Sequence, residues 1–341
     1  LSSVRLASSS QIRYERIAYE PEAWELVIDG HPDVEVYHGA AWLRFLERSQ
    51  GIEPVIARVS VDGAQVGHFV GGIVRRYGIR ILGSPLRGWT TQCMGFLLEP
   101  GTDRAAVARE LAGFAFKELG CSHLEFADRH LSDRSLNESG YSLDVGQSFR
   151  SDLRPPEDEL FGQMREDARK EIRRALRDGL RAEFTTDPDF AEVHHSFLER
   201  VFARQGLAPT YPVERVRQMI AEVLPSGHLK LLVVRSPTDE AVATAISAGR
   251  GRMAITVGTA FDRSDRRYHP MSLARWETMR SWKQAGAEEF DFGGGGDYKM
   301  KFGPHAVAHH HYFRSRYPWL PAARAGVQRM VRVRQVIRRR R

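Results

Sequence analysis

Cysteine is nearly absent from this chain. The two present, Cys93 and Cys121, stand apart with no CxxC or Cys/His ligand spacing around either, which excludes a disulfide scaffold and a structural zinc site. Long apolar runs are missing too. No stretch reaches the roughly 18 to 20 residues that a bilayer span needs, and the first ten residues, LSSVRLASSS, lack the apolar core of a secretory signal. A soluble, cytoplasmic protein is expected. GxSxG, HExxH, a Walker loop and a Rossmann fingerprint are all absent, so serine-elbow hydrolysis, zinc proteolysis and dinucleotide binding lack support. Acid is missing from Ala322 to Arg341, where eight arginines account for more than the net charge of +7 and leave the remainder at −1. The basic character therefore belongs to a tail rather than to the body.

What is present is a globular composition, 42% apolar and 27% charged over 341 residues, enough for two cored domains. The chain also resembles itself. Val107 to Phe126 (VARELAGFAFKELGCSHLEF) and Leu273 to Phe292 (LARWETMRSWKQAGAEEFDF) align without gaps, each reading as an amphipathic helix, a glycine stop and a short strand. Upstream of each lies a hairpin pattern, Pro54 to Arg76 turning at Asp62-Gly63 and Leu229 to Met253 turning at Pro237 to Glu240. The order hairpin, strand, helix, strand thus occurs twice. Prolines among charges near Phe149 to Glu159 mark a boundary, giving domains at 1–150 and 151–315 and a basic tail at 316–341.

Two segments carry candidate chemistry. Arg165 to Arg181 reads as a helix ended by Gly179, on which Arg165, Arg169, Arg173 and Arg177 recur every fourth position and Lys170 widens the stripe. Guanidiniums at that pitch, about 6 Å apart, suit phosphates; a solvated face steadied by pairs such as Glu166 with Lys170 is the plainer alternative. The second segment, Glu289 to Gly303 (EFDFGGGGDYKMKFG), places four glycines after a strand. Read as a strand, its continuation puts Lys299 and Lys301 on one face and Tyr298, Met300 and Phe302 on the other. A lysine beside so permissive a backbone can stabilise an oxyanion or neutralise a phosphate, against the alternative of a flexible turn with lysines in water. His309 to His311 lack a carboxylate or cysteine at ligand spacing, so no metal is expected there.

These pieces resemble the FemABX family, the aminoacyl-tRNA-dependent peptidyltransferases of the GNAT superfamily. The resemblance rests on YHGAAWLRFLE, on ARKEIRRALRDGLRAEF, on RQGL at Arg204 to Leu207, on YHPMSLARWETMRSWKQAGAEEFDFGG and on DYKMKFG, in the family's order over most of the chain. It implies an α/β (α+β) fold of two tandem GNAT-like domains, each a mixed, mostly antiparallel sheet flanked by helices. It implies transfer of an amino acid from aminoacyl-tRNA to an amine, with Tyr298 and Lys299 as the catalytic pair and no cofactor beyond the co-substrate. Substrate-binding positions carry over to Trp42, Asp128, Arg204, Tyr211, Arg215 and Thr256. The stripe of Arg165, Arg169, Lys170, Arg173 and Arg177, together with Lys301, supplies the candidate phosphate or tRNA contacts by its spacing. The chain departs from the peptidoglycan-precursor pattern at Leu46, where the family has a lysine, in the exchanged types at Tyr211 and Arg215, at Thr256, and at Ala127, where an aspartate is displaced by one place to Asp128.

Acyl-CoA is the competing donor. GNAT enzymes that use it hold the pyrophosphate on amides of a [QR]xxGx[GA] loop, and here that place reads Arg267-Tyr268-His269-Pro270-Met271-Ser272, with a proline that has no amide hydrogen to offer. Aminoacyl-tRNA and a small peptide or nucleotide-linked amine are therefore the expected partners, with a peripheral contact to anionic membrane through the tail. The alternatives are a CoA-dependent N-acetyltransferase acting on a polysaccharide or secondary-metabolite amine, and a non-catalytic module binding tRNA or membrane.

Overall fold

The computed structural model describes residues 11–76, 78–131, 134–204, 206–261 and 268–319. Most of the predicted basic tail and Arg267 lie outside the described residues. In chain order the elements are β1 (Ile12–Ile17), α1 (Pro21–Ile28), α2 (Ala40–Gln50), β2 (Glu53–Val61), β3 (Ala64–Arg76), β4 (Ile79–Ser84), β5 (Gly95–Leu98), α3 (Arg104–Gly113), β6 (His123–Phe126) and β7 (Ser142–Asp152). They continue with α4 (Glu157–Gln163), α5 (Glu166–Arg177), β8 (Arg181–Thr185), α6 (Phe190–Ala203), α7 (Val213–Val223), β9 (Leu229–Arg235), β10 (Ala241–Arg250), β11 (Met253–Phe261), α8 (Pro270–Gln284), β12 (Glu289–Asp291) and β13 (His305–Ser315).

The chain forms two compact units that are not contiguous in sequence. The first takes the described residues of Leu1–Trp24, Ile52–Asp144 and His310–Val333, the second those of Glu25–Gly51 and Val145–His309. The reading from sequence expects contiguous halves; instead α2 and the second half of α1 count with the second unit, and the end of β13 with the first. The reason is visible in the contacts. Glu25 accepts from the Ala40 amide and from Arg250 Nη1, both at 2.6 Å, and Arg48 pairs with Glu222 of α7 at 2.7 Å.

In the first unit the strands run β1-β2-β3-β4-β6-β13, with β5 also on β3. Asp62 and Gly63 turn the β2–β3 hairpin with φ of 52° and 86°, the left-handed pair that a tight two-residue hairpin demands. A parallel pairing joins β4 to β6, with α3 as the crossover. Two buried tyrosines tie that helix to its sheet: Tyr14 donates to the Val107 carbonyl at 2.7 Å and Tyr141 to that of Ala108 at 3.0 Å.

In the second unit the strands run β7-β12-β11-β10-β9-β8, and the parallel pair is β11 with β12, crossed by α8. The strand β10 (AVATAISAGR) is built of small residues because α8 lays Trp276 and Trp282 on this core. A Cβ at Gly249 would meet the Trp282 ring at 2.8 Å, while the indole N–H finds Ser247 Oγ at 2.8 Å, so the large ring is both seated and satisfied. Both units thus carry the expected hairpin, strand, helix and parallel strand, the mixed, mostly antiparallel α/β sheet expected of a GNAT fold.

Candidate functional site

The strand β12 ends at Asp291, and the chain then passes through Phe292 and the four glycines. From Asp297 to Phe302 it forms a 3-10 turn bounded by Gly296 and by Gly303, whose φ is 83°. This corrects the strand reading of the segment. With three residues per turn, Lys299 and Phe302 fall on the inner side and are buried, while Tyr298 and Met300 face solvent at 55% and 38% exposure. Lys299 and Lys301 therefore do not share a face toward one ligand.

Lys299 is 7% exposed, and its ammonium points back into the loop that precedes it. Nζ donates to the Phe292 carbonyl at 2.7 Å, to that of Gly293 at 3.1 Å and to that of Gly294, using all three of its hydrogens. Gly294 itself approaches β7, since a Cβ there would lie 3.0 Å from the Gln147 carbonyl oxygen. Burial, followed by the like charge of Arg275, pulls the Lys299 pKa down to about 8, with Asp291 opposing the shift. Asp291 is fully buried, accepts from the Gly293 amide at 2.7 Å and pairs with Arg150 at 3.4 Å. Arg275 lies over the Tyr298 ring at 4.9 Å and the Phe302 ring at 5.4 Å. The result is a buried lysine with its pKa drawn down to about 8, held just past the end of a parallel strand, with the adjacent Tyr298 exposed.

Lys301 is turned elsewhere. It pairs with Glu171 of α5, a carboxylate that also receives Ser272 Oγ and has His269 Nδ1 at 3.8 Å. Its predicted phosphate contact is already met by a carboxylate of the chain. On α5 the stripe is outward as expected: Arg165, Lys170, Arg173 and Arg177 are exposed, while Arg169 is half-buried and reaches the Gly162 carbonyl at 3.4 Å. Lys170 pairs with Glu166 at 2.7 Å and Arg165 with Asp167 at 3.4 Å, whereas Arg173 lies over Phe161 at 5.3 Å. Part of the stripe is thus neutralised on the helix itself.

The structure brings Tyr211 and Arg215 together, with the guanidinium 5.7 Å from the tyrosine ring. The end of the Gln50 side chain lies 3.0 and 3.1 Å from the Arg215 guanidinium, so its amide oxygen faces Arg215 once the amide is oriented to suit its partners. Beneath Tyr211 lies His194, wholly buried, bonded to Thr244 Oγ1 at 2.8 Å and to the Tyr211 hydroxyl at 3.2 Å. Burial, helped by neighbouring His195, lowers its pKa to about 4, so it stays neutral; burial also raises Tyr211 to about 12. Thr256 is half-buried on β11, and Arg204 is an exposed residue closing α6.

Two of the substrate positions are structural. Trp42 is 0% exposed and stacks edge-on against Tyr37 and Phe45 in the core around α2, leaving no surface for a substrate. Asp128 belongs to the first unit, where it accepts from the Phe96 amide at 2.9 Å, Arg104 Nη1 at 2.8 Å and the His130 amide at 2.9 Å. Its charge is spent on holding β5 and α3. Sequence reasoning misses Arg275, Glu171 and His194. Arg275 sits on the repeated helix and is within reach of such reasoning, whereas Glu171 and His194 owe their settings to partners 130 and 17 residues away. Among the described residues no group of three or more His, Cys, Asp or Glu side chains is placed to hold a metal, and no helix is long and apolar enough to cross a membrane.

The architecture defines a GNAT-fold protein in which the second unit carries the glycine loop and lysine. Residues 162–314 match the family model described as acetyltransferase (GNAT) domain. Among solved structures, the chain is similar to FemX, with a TM-score of 0.70 at 12% identity over 87% of this chain and 96% of that one. It is also similar to L-PGS from Bacillus licheniformis (TM-score 0.56, 14% identity, 91% and 96% covered). A third similar structure is a tandem GNAT protein from the clavulanic acid biosynthesis pathway (TM-score 0.52, 13% identity, 90% and 99% covered). No curated protein matches the sequence. Residues 162–314 thus carry a match to a GNAT acetyltransferase domain, and the chain is similar in fold to FemX.

Proposed function

We propose that the chain transfers an aminoacyl group from aminoacyl-tRNA to an amine of a peptidoglycan precursor or another small peptide or metabolite. The observation that carries this reading is Lys299, a buried ammonium gathered by loop carbonyls at the end of β12 with a pKa of about 8. Aminolysis of an ester needs no covalent enzyme intermediate. The neutral acceptor amine attacks the ester carbonyl, a carbon–nitrogen bond forms and the carbonyl oxygen becomes an oxyanion. Collapse breaks the ester bond, and the ribose oxygen leaves with the proton that the amine gives up. Lys299 supports the oxyanion by exchanging one of its three carbonyl bonds for the substrate oxygen, in a setting dry enough to make that interaction strong.

The donor half rests on the start of α8. Pro270 opens that helix without an amide hydrogen, after His269 at a φ of 54°, so the amide cradle that a CoA pyrophosphate uses is depleted. The exposed cations of α5 and the likeness in fold to FemX favour a donor with a long phosphodiester backbone. The description of the model that matches residues 162–314 favours a second reading, acyl transfer from acetyl-CoA. Purified protein offered a labelled mixture of aminoacyl-tRNAs and, separately, labelled acetyl-CoA, each with a panel of amines, decides between them. Movement of label from tRNA to an amine is expected; consumption of acetyl-CoA alone overturns the donor, and consumption of neither overturns the enzyme.

A further inference from the structure

The cluster around Glu171 has no part in the aminolysis, and its composition is unusual for a structural ion pair. A cation (Lys301), a hydroxyl (Ser272) and an imidazole (His269) converge on one carboxylate at the first turn of α8. A positive helix end, a lysine and a serine hydroxyl are what an anionic diphosphate recruits. Here the anion comes from the chain itself, on α5, the helix whose opposite face carries the exposed arginines. Glu171 and Lys301 are only 21% and 18% exposed, so the carboxylate fills the place rather than passing through it.

We infer that Glu171 is a specificity-determining residue: an internal anion that occupies the seat of a diphosphate at the start of α8 and so rejects acyl donors carrying their own diphosphate there. A diphosphate arriving at this helix end meets a carboxylate already holding the lysine and the hydroxyl. It must either displace it or accept like-charge repulsion at close range. Pro270 weakens the cradle, and Glu171 closes what remains.

The inference deepens the donor half of the proposed function, and its test reads binding rather than turnover, so the two fail separately. Absence of transfer from aminoacyl-tRNA would overturn the donor while leaving the binding result in place. Wild type, Glu171→Ala, Glu171→Gln and the double variant Glu171→Ala with Lys301→Ala are titrated calorimetrically with inorganic pyrophosphate and with acetyl-CoA, each variant's folding being checked by its thermal transition. Wild type is expected to show no saturable binding. Glu171→Ala should gain affinity for pyrophosphate by about tenfold or more, as expected when a charge-assisted pair is freed for a ligand. Glu171→Gln should gain less, because it removes the charge but keeps the bulk, and the double variant should lose the gain. A folded Glu171→Ala that binds no better than wild type overturns the inference, as does wild-type protein that binds acetyl-CoA saturably. Should Glu171→Ala not fold, Glu171→Gln decides: a gain of about threefold supports the inference and no gain overturns it.

Discussion

At the same place in the two units, the chain solves opposite electrostatic problems. In the first unit the parallel strand β6 is followed by Ala127 and Asp128, and a carboxylate gathers hydrogen-bond donors: the Phe96 and His130 amides and Arg104. Packing there is close enough that a Cβ on Gly95 would lie 2.5 Å from Asp128 Oδ2. In the second unit the parallel strand β12 is followed by Phe292 and the glycines, and an ammonium gathers acceptors, the carbonyls of Phe292, Gly293 and Gly294. One loop is fastened by an anion to neighbouring elements; the other is fastened by a cation to itself. Duplicating a scaffold does not duplicate its chemistry, because the loop after the strand is free to diverge while the sheet is not.

The contrast breaks most sharply on activity. Lys299→Met should lower turnover by about 10²–10³-fold, the usual cost of deleting an oxyanion donor, measured as label transferred per folded molecule. Asp128→Ala should leave that rate within about threefold, as a change away from the reacting atoms does. Equal losses in both variants would erase the distinction between the two loops. Stability should respond the other way round. Asp128 and Arg104 have side chains 1% and 14% exposed, so Asp128→Ala takes the buried carboxylate from a guanidinium and the acceptor from two amide hydrogens. A loss of about 3–5 kcal/mol in denaturant unfolding is expected for breaking such a buried pair.

Titration sharpens the second unit further. Lys299 has its pKa lowered from 10.5 to about 8, so the ammonium is present below about pH 8 and lost above it. The transfer rate should therefore fall on an alkaline limb near pH 8. Arg275→Gln removes a like charge and should move that limb upward. A limb that stays in place detaches the guanidinium from the lysine's titration, and a rate that keeps rising through pH 9, by general pH–rate logic, removes the protonated lysine from the mechanism. Linkage fixes the sign for stability. Between about 8 and 10.5 the unfolded chain holds a proton on this lysine that the native one has released, so its contribution to stability increases with pH across that window.

Much of the fold is legible locally. Asp62-Gly63 turns because a two-residue hairpin needs left-handed backbone, and Gly179 ends α5 at a φ of 80°. The repeated helix-and-strand pattern is written in periodicity and is realised by α3 with β6 and by α8 with β12. What escapes the sequence is pairing at a distance. Nothing near Glu25 announces Arg250, 225 residues on, and that ion pair helps attach α2 and its wholly buried Trp42 to the second unit. The site is half legible. Lysine after glycines is a fair signal of a special backbone, but alternation is the wrong period. Gly296 and Gly303 bracket a 3-10 turn, and a lysine whose partners are backbone carbonyls leaves no residue pattern to find.

The smallest expected effect concerns the outer surface of α5. Arg173 and Arg177 are exposed, and Arg173 keeps its guanidinium over the Phe161 ring. If this face meets a tRNA backbone, removing one phosphate-binding cation lowers the slope of log affinity against log salt by about 0.7–0.9, a change too small to see in a single affinity but plain in a salt series. Arg173→Ala and Arg177→Ala, separately and together, should flatten that slope stepwise in a filter-binding titration. Arg75→Ala and Arg76→Ala, exposed on β3 of the first unit, should not. Equal flattening by both pairs would mean that the RNA senses only total charge. A slope changed by neither pair would return the α5 stripe to a solvated helix face and leave the donor to be recognised elsewhere.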